Sequence, residues 1–218
     1  MRAAPRTAAH HDESGVTLVE LLVAITVLGI VMAGLFGGLT GLIRATNTID
    51  TRTDNVDQAR LAVASLSRDL RAASPTVDDE PAFLVAEARH ARFHARLSRD
   101  DAPVLLDLSV DADDRLVETL TPPTVQADGS VVYDPADART RYVASYLFNG
   151  PDEPILTYAT ITETGEVVEL AMPVTSVQDL RSIRLVQIDL VMARDQGARV
   201  EPQRVSTQVR LPNLRGGS

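Results

Sequence analysis

From Leu21 to Ile43 the chain runs for 23 residues without a charge, "LLVAITVLGIVMAGLFGGLTGLI". A helix of that length, rising about 1.5 Å per residue, reaches about 34 Å, enough to cross a bilayer hydrocarbon core of about 30 Å. By length this is a membrane span. Immediately before it stands Glu20, and a carboxylate inside hydrocarbon costs about 2.5–3.5 kcal/mol even on insertion scales. A span that served only as an anchor would omit that acid, so something must compensate for it. Upstream lie Arg2, Arg6, His10 and His11, then Asp12, Glu13, Ser14 and Gly15. The positive-inside rule keeps this short tail in the cytoplasm, against an opposing pull from Arg44 and Arg52.

Two simple readings compete. A secretory signal peptide would be cut after "VMA" at Ala33, but its apolar core should run about 7–15 residues, shorter than this one. A plain signal anchor holding a binding domain outside the membrane explains the length and leaves Glu20 unexplained, unless the side chain snorkels toward the headgroups.

The stretch "SGVTLVELLVAITVLG" has a Gly, an apolar residue, Thr, Leu, an apolar residue, Glu and two leucines in that order. It resembles the class III signal of type IV prepilins and pseudopilins. The resemblance implies cleavage by a dedicated prepilin peptidase between Gly15 and Val16, N-methylation of Val16, and Glu20 as the fifth residue of the mature chain. Val16 departs from the family's usual Phe. Thr17, Leu18 and Glu20 are then assembly residues, and the acid meets the free amine of a neighbouring subunit. Each charge is costly alone in an apolar bundle and tolerable when paired and hydrogen-bonded. Such a pair sets register more than it stabilises.

Gly34 and Gly38, and again Gly37 and Gly41, are four apart and form small-xxx-small faces on which helices approach closely. Each also weakens the helix by about 1 kcal/mol relative to Ala. In many members of the resembled family this stretch loses helical structure on assembly. The Pro common there is absent, so the glycines are expected to supply both packing and melting.

Past Ile43 the pattern turns amphipathic. Ile49, Val56, Val63 and Leu70 recur every seven residues, with Ala59, Leu66 and Ala73 three further on. The other faces carry Arg52, Asp54, Asp57, Arg60, Arg68, Asp69 and Arg71, and Ser74-Pro75 stops the helix. One nearly continuous helix from about Thr17 to Ala73 is expected, on the order of 85 Å long. Beyond Pro75 the period becomes two. In "RHARFHARL", Ala91, Phe93, Ala95 and Leu97 alternate with His90, Arg92, His94 and Arg96. Further strands are expected in "APVLLDLSVD", "DRLVETLTP", "GSVVYDP", "RYVASYLFNG", "EPILTYATIT", "GEVVELAMP", "SIRLVQIDLVMA" and "RVSTQVRLPN", divided by turns such as "DADD", "QADG" and "TETG". The fold class is therefore α+β: a long N-terminal helix, transmembrane in its first half and amphipathic in its second, packed on a mostly antiparallel sheet, pilin-like. The expected divisions are a cytoplasmic leader 1–15, a membrane or filament-core helix 16–43, its amphipathic continuation 44–74 and an extracytoplasmic β-rich domain 75–218.

Composition narrows the chemistry. The net charge is −9 and all 21 cationic side chains are Arg, an acidic balance that argues against nucleic acid as a partner. With no cysteine there is neither disulfide nor thiolate chemistry. His90 and His94 lack the glutamate of a zinc-protease motif and on a strand stand about 13 Å apart, so solvated histidines and no metal are expected. The acidic groups Asp78–Glu80 and Asp111–Asp114 lack the ordered loop of an EF-hand and are expected as solvated turns. No nucleophile elbow, P-loop or dinucleotide fingerprint occurs. The chain is read as a structural subunit, the substrate of an enzyme and not an enzyme itself, with no cofactor.

The ending "MPVTSVQDLRSIRLVQIDLVMARD" followed by "VSTQVRLPN" is similar to the close of W-type minor pilins and J-type type II secretion pseudopilins. The family's frequent carboxy-terminal disulfide loop cannot form here. The resemblance implies a minor pilin or pseudopilin acting at initiation or the tip of a type IV pilus or type II secretion pseudopilus. Its implied partners are the prepilin peptidase, other pilin or pseudopilin subunits, an inner-membrane assembly platform, and the lipid bilayer before assembly. Its location is the cytoplasmic membrane with the N-terminus inside. The alternative is a signal-anchored extracytoplasmic binding domain that does not polymerise.

Overall fold

Helix formers and an uninterrupted apolar run carry the first element, α1, from Leu18 to Arg71. The computed structural model describes residues 17–77, 80–98, 102–193 and 202–214, with the backbone alone over 41–55. The chain divides into two compact units, Met1–Asn47 and Thr48–Ser218. In the first, every described residue of α1 is exposed, and Leu18–Thr40 is apolar and long enough to cross a membrane.

The second unit contains the rest of α1 followed by β1 (Phe83–Ala86), β2 (His90–Ala95), β3 (Val104–Val110), β4 (Leu116–Thr121), β5 (Pro123–Val125), β6 (Val131–Tyr133), β7 (Arg139–Ala144), β8 (Leu156–Ile161), β9 (Val167–Glu169), α2 (Val177–Ser182), β10 (Leu185–Met192) and β11 (Gln203–Arg210). The expected sheet is divided. Five strands follow the order β1-β2-β3-β4-β7, four follow β11-β10-β8-β9, and β5 with β6 forms a separate hairpin. All these pairings are antiparallel. The expected strand in "RYVASYLFNG" stops at Ala144; beyond it Leu147 bridges to Met192, so this segment leaves one sheet and reaches the other.

The helix seam supplies the cover that the sheets need. Ala59, Ala62, Val63, Leu66, Leu70 and Ala73 share one buried cluster with Phe83, Phe93, Leu106, Leu108, Tyr158, Ile188 and Leu190. The ring of Phe83 stacks on Phe93 at 5.1 Å and meets the edge of Tyr158 at 5.8 Å, joining both sheets through three of the chain's few aromatic residues. The helix ends where Ala73 bridges to Ala95 and the side-chain amide of Asn213 donates to the Arg71 carbonyl at 3.1 Å. That amide satisfies one of the carbonyls that a helix terminus leaves unpaired.

Two polar residues contradict the expected wet faces. Asp69 is buried, because β4 and β7 present Glu118 and Arg141 to that side of the helix. His94 is buried too: the β5–β6 hairpin folds over the outer face of the five-stranded sheet and stacks the Tyr133 ring on His94 at 5.2 Å. Tyr133 is held there by donating its hydroxyl to the Pro103 carbonyl at 2.7 Å. His90 stays half-buried, its Nε2 at 3.1 Å from Asp107.

Candidate processing and assembly site

Thr17 stands immediately before the first turn of α1, with Glu20 in that turn. The Glu20 amide donates to Thr17 Oγ1 at 3.3 Å and the Leu21 amide to the Thr17 carbonyl at 3.1 Å. Thr17 therefore acts as the N-cap of α1, and Glu20 occupies the third helical position. The T-x-x-E spacing from Thr17 to Glu20 is the sequence signal of such a helix start. A carboxylate in the first turn also lies at the favourable end of the helix dipole. Gly15 and Val16, the expected cleavage site, lie outside the described residues.

The apolar surface that follows is continuous. Its two threonines turn their hydroxyls back onto the helix, Thr26 to the Leu22 carbonyl at 2.8 Å and Thr40 to the Phe36 carbonyl at 2.7 Å. No side-chain donor in Leu21–Thr40 is left facing lipid or a neighbour unsatisfied, as a bilayer requires. Gly34, Gly37 and Gly38 lie within the helix, and a methyl added at any of them would meet no atom of this chain within 4 Å. They make no close approach inside the chain, and the small faces they form are open. Gly41 falls in the helix where only the backbone is described.

In the second unit, the acidic turn at Asp111–Asp114 is organised by its own neighbours. Asp111 accepts from the amides of Asp113 and Arg115, both at 2.9 Å, and from Arg115 Nε at 2.8 Å, while Arg115 Nη2 reaches Asp113 at 2.7 Å. The acids Asp78 and Asp79 lie outside the described residues. Among the described residues, no group of three His, Cys, Asp or Glu side chains could hold a metal ion. An open groove of about 340 Å³ on the outer sheet face is lined by Arg92, Asp107, Thr119, Thr121 and Tyr133. Its one acid, Asp107, is engaged by His90 at 3.1 Å and Arg92 at 3.8 Å.

No curated protein and no solved structure matches the chain. Residues 10–36 match the family described as the prokaryotic N-terminal methylation motif, which covers the capped helix start, the expected cleavage site and the first part of the apolar run. The match supports a type IV pilin-like precursor, anchored in the membrane through its apolar N-terminal helix and drawn from a family of structural subunits; the motif implies processing by prepilin peptidase and assembly with other pilins.

Proposed function

We propose that the chain is a minor pilin or pseudopilin, cut between Gly15 and Val16, N-methylated at Val16, and packed through its apolar helix into a type IV pilus or type II secretion pseudopilus at initiation or the tip. The observation that carries this reading is the coincidence, within residues 10–36, of the methylation motif with a helix whose apolar surface is exposed throughout. In the membrane, lipid covers that surface; in a filament, neighbouring helices replace the lipid. Glu20 then neutralises the Val16 amine of a neighbour. The open faces at Gly34, Gly37, Gly38 and Gly41 let helices approach, and the inner-membrane platform draws the subunit out of the bilayer with the β-rich unit on the outer side.

The Thr17–Glu20 hydrogen bond favours one second reading, in which Glu20 serves only its own helix and the chain remains a membrane-anchored binding domain. Intact-mass and amino-terminal peptide analysis of protein from native membranes separates the two. A methylated Val16 terminus is the expected result; an intact Met1 terminus, with the peptidase present, overturns the proposal in favour of the anchored domain.

A further inference from the structure

We infer that the groove on the outer face of the five-stranded sheet binds a neutral, hydroxyl-rich ring, a hexose unit held between a polar floor and an aromatic wall. The inference goes beyond the filament reading and holds for either reading of the amino-terminal helix.

Strand alternation builds the floor. Arg92 pairs with Asp107, Asp107 with Thr119 and Thr119 with Thr140, so these four residues form one cross-strand row on β2, β3, β4 and β7. The next row on the same face, two residues along, carries His94, Leu105 and Thr121. Hairpin β5–β6 closes over this second row, stacking Tyr133 on His94 and leaving Leu105 buried. The first row stays open beside it. Tyr133, Pro135 and Ala138 flank the floor as a wall, and the groove between them holds about 340 Å³. The Tyr133 hydroxyl donates to the Pro103 carbonyl at 2.7 Å, and Asp134 fixes the turn Pro135–Asp137 by accepting from the Ala136 amide at 2.8 Å. The wall is thus set before any ligand arrives.

The polar groups of the floor have hydrogen-bonding capacity to spare. Thr121 is 8% exposed, lines the groove and makes no hydrogen bond among the described residues. A hydroxyl so placed is costly to leave without a partner, and a ligand hydroxyl supplies one. Arg92 Nε stands 3.8 Å from Asp107 Oδ2, too far for a hydrogen bond, so its donors remain available. Asp107 Oδ1 lies 3.1 Å from His90 Nε2, and a carboxylate has about four acceptor positions in all.

Charge and shape select the ligand. Among the described residues, Arg92 and Asp107 are the one cation and the one acid of the lining. An anion would meet the acid and a cation would meet Arg92, whereas a hydroxyl both donates and accepts and so suits either. Adjacent strands set these groups about 4.7–4.9 Å apart, within reach of the hydroxyls around one ring. A hexose is also two-sided, with a C–H face for the Tyr133 ring and hydroxyl edges for the floor. The groove lies at the small end of the range of about 300–1,000 Å³ for ligand sites, room for one ring, and its open form lets a glycan chain run out of it.

The test uses the full chain in phosphatidylcholine vesicles, which add no sugar of their own, with protein-free vesicles as the blank. Saturation-transfer NMR reads the contact of glucose, galactose and mannose at millimolar concentration, of the disaccharides maltose, cellobiose and lactose, and of the charged sugars glucose 6-phosphate and glucosamine. We expect transfer to at least one neutral sugar, reduced several-fold by Thr121→Val and by Asp107→Asn. Tyr142→Ala, which removes an exposed aromatic that does not line the groove, should leave it unchanged. Thermal melts check that each variant is folded, and Arg92→Gln, at a half-exposed side chain, replaces either floor variant that is not. Transfer to a disaccharide above that to its hexose marks a glycan as the source and the reverse marks a free sugar; both uphold the inference. No transfer to any neutral sugar, transfer confined to the charged sugars, or transfer that the floor variants leave unchanged overturns it. No variant alters residues 15–20, so the result stands apart from the cleavage between Gly15 and Val16.

Discussion

Arg141 holds both oxygens of Glu118, Nε to Oε1 at 2.7 Å and Nη2 to Oε2 at 2.9 Å, and the same Nη2 reaches Asp69 at 3.2 Å and Ser65 Oγ at 2.9 Å. One guanidinium thus ties two buried acids, one on β4 and one on α1, and fastens the amphipathic helix to the sheet. Arg68 contributes a further contact to Asp69 at 3.3 Å from the exposed side. Removing Arg141 leaves two buried carboxyls competing for solvent they cannot reach. Arg141→Ala should cost about 3 kcal/mol, the low end for breaking a buried pair, because its side chain is 47% exposed and partly screened. Denaturant melts of the detergent-solubilised chain followed by far-UV circular dichroism measure this; a loss below about 0.5 kcal/mol, typical of a surface pair, would refute the fastening role.

Burial pushes the Glu118 carboxyl above its ordinary value, against the pull of Arg141 and with the help of the Asp69 charge. A folded-state value raised above the unfolded one gives stability that is full below the unfolded pKa and is lost as pH rises through the folded pKa. The Glu118 contribution should therefore decline as pH climbs from the ordinary carboxyl value of 4.5. Glu118→Gln cannot titrate, so the stability difference between wild type and this variant should shift against the wild type across that climb. A pH-independent difference would show that Glu118 does not titrate on its own account.

His94 should behave with the opposite slope. Burial lowers its pKa, with Glu80 opposing the shift and Arg92 adding to it. Among the described residues its Nδ1 is buried without a hydrogen-bond partner, so protonation would place a cation in a desolvated site. Stability from this group is present above the unfolded value of 6.5 and is lost as pH falls through the lowered folded value. His94→Phe keeps an aromatic ring for stacking and should flatten the acid limb of thermal melts. An unchanged acid limb would assign acid sensitivity to other groups.

Asp69 and His94 mark the limit of what the sequence discloses. The period-seven seam placed Val63, Leu66, Leu70 and Ala73 inside, and all four are buried, because a helix face follows directly from spacing. The "QADG" and "TETG" turns put Gly129 and Gly165 at a left-handed φ of 83°, a conformation glycine adopts without a Cβ penalty. Asp69 beside Arg68 looked like an exposed pair. Its burial depends on Arg141, 72 residues away, which no local pattern reports. Alternation correctly placed Ala91 and Phe93 inside, yet could not foresee that a hairpin from a later stretch would cover His94. The strand Phe83–Ala86 and the six-residue α2 were missed because neither is long enough to show a period.

The glycines of the apolar helix make a separate prediction. A side chain at Gly37 or Gly38 meets nothing in its own chain, so Gly37→Leu or Gly38→Leu should leave the melting of the β-rich unit unchanged and strengthen the isolated helix, glycine being the poorer helix former by about 1 kcal/mol. If the small faces pack against neighbours, energy transfer between labelled chains in vesicles should fall several-fold. Unchanged transfer would leave these glycines with no packing role.

Glu20 supports two roles that a single conservative change can separate. As the third residue of a capped helix it can be replaced by glutamine, which serves the same capping geometry; as a counter-charge to a neighbour's amine it cannot. Glu20→Gln should therefore leave helix content and membrane insertion intact while reducing incorporation into filaments, and Glu20→Ala should lose incorporation as well. Thr17→Ala removes the cap acceptor and keeps the charge, at a cost of about 1 kcal/mol to the helix start, and should retain most incorporation. Immunoblots of sheared filaments against membrane fractions read all three. If Glu20→Gln incorporates normally and Thr17→Ala does not, the acid belongs to its own helix, and the pairing with the Val16 amine is wrong.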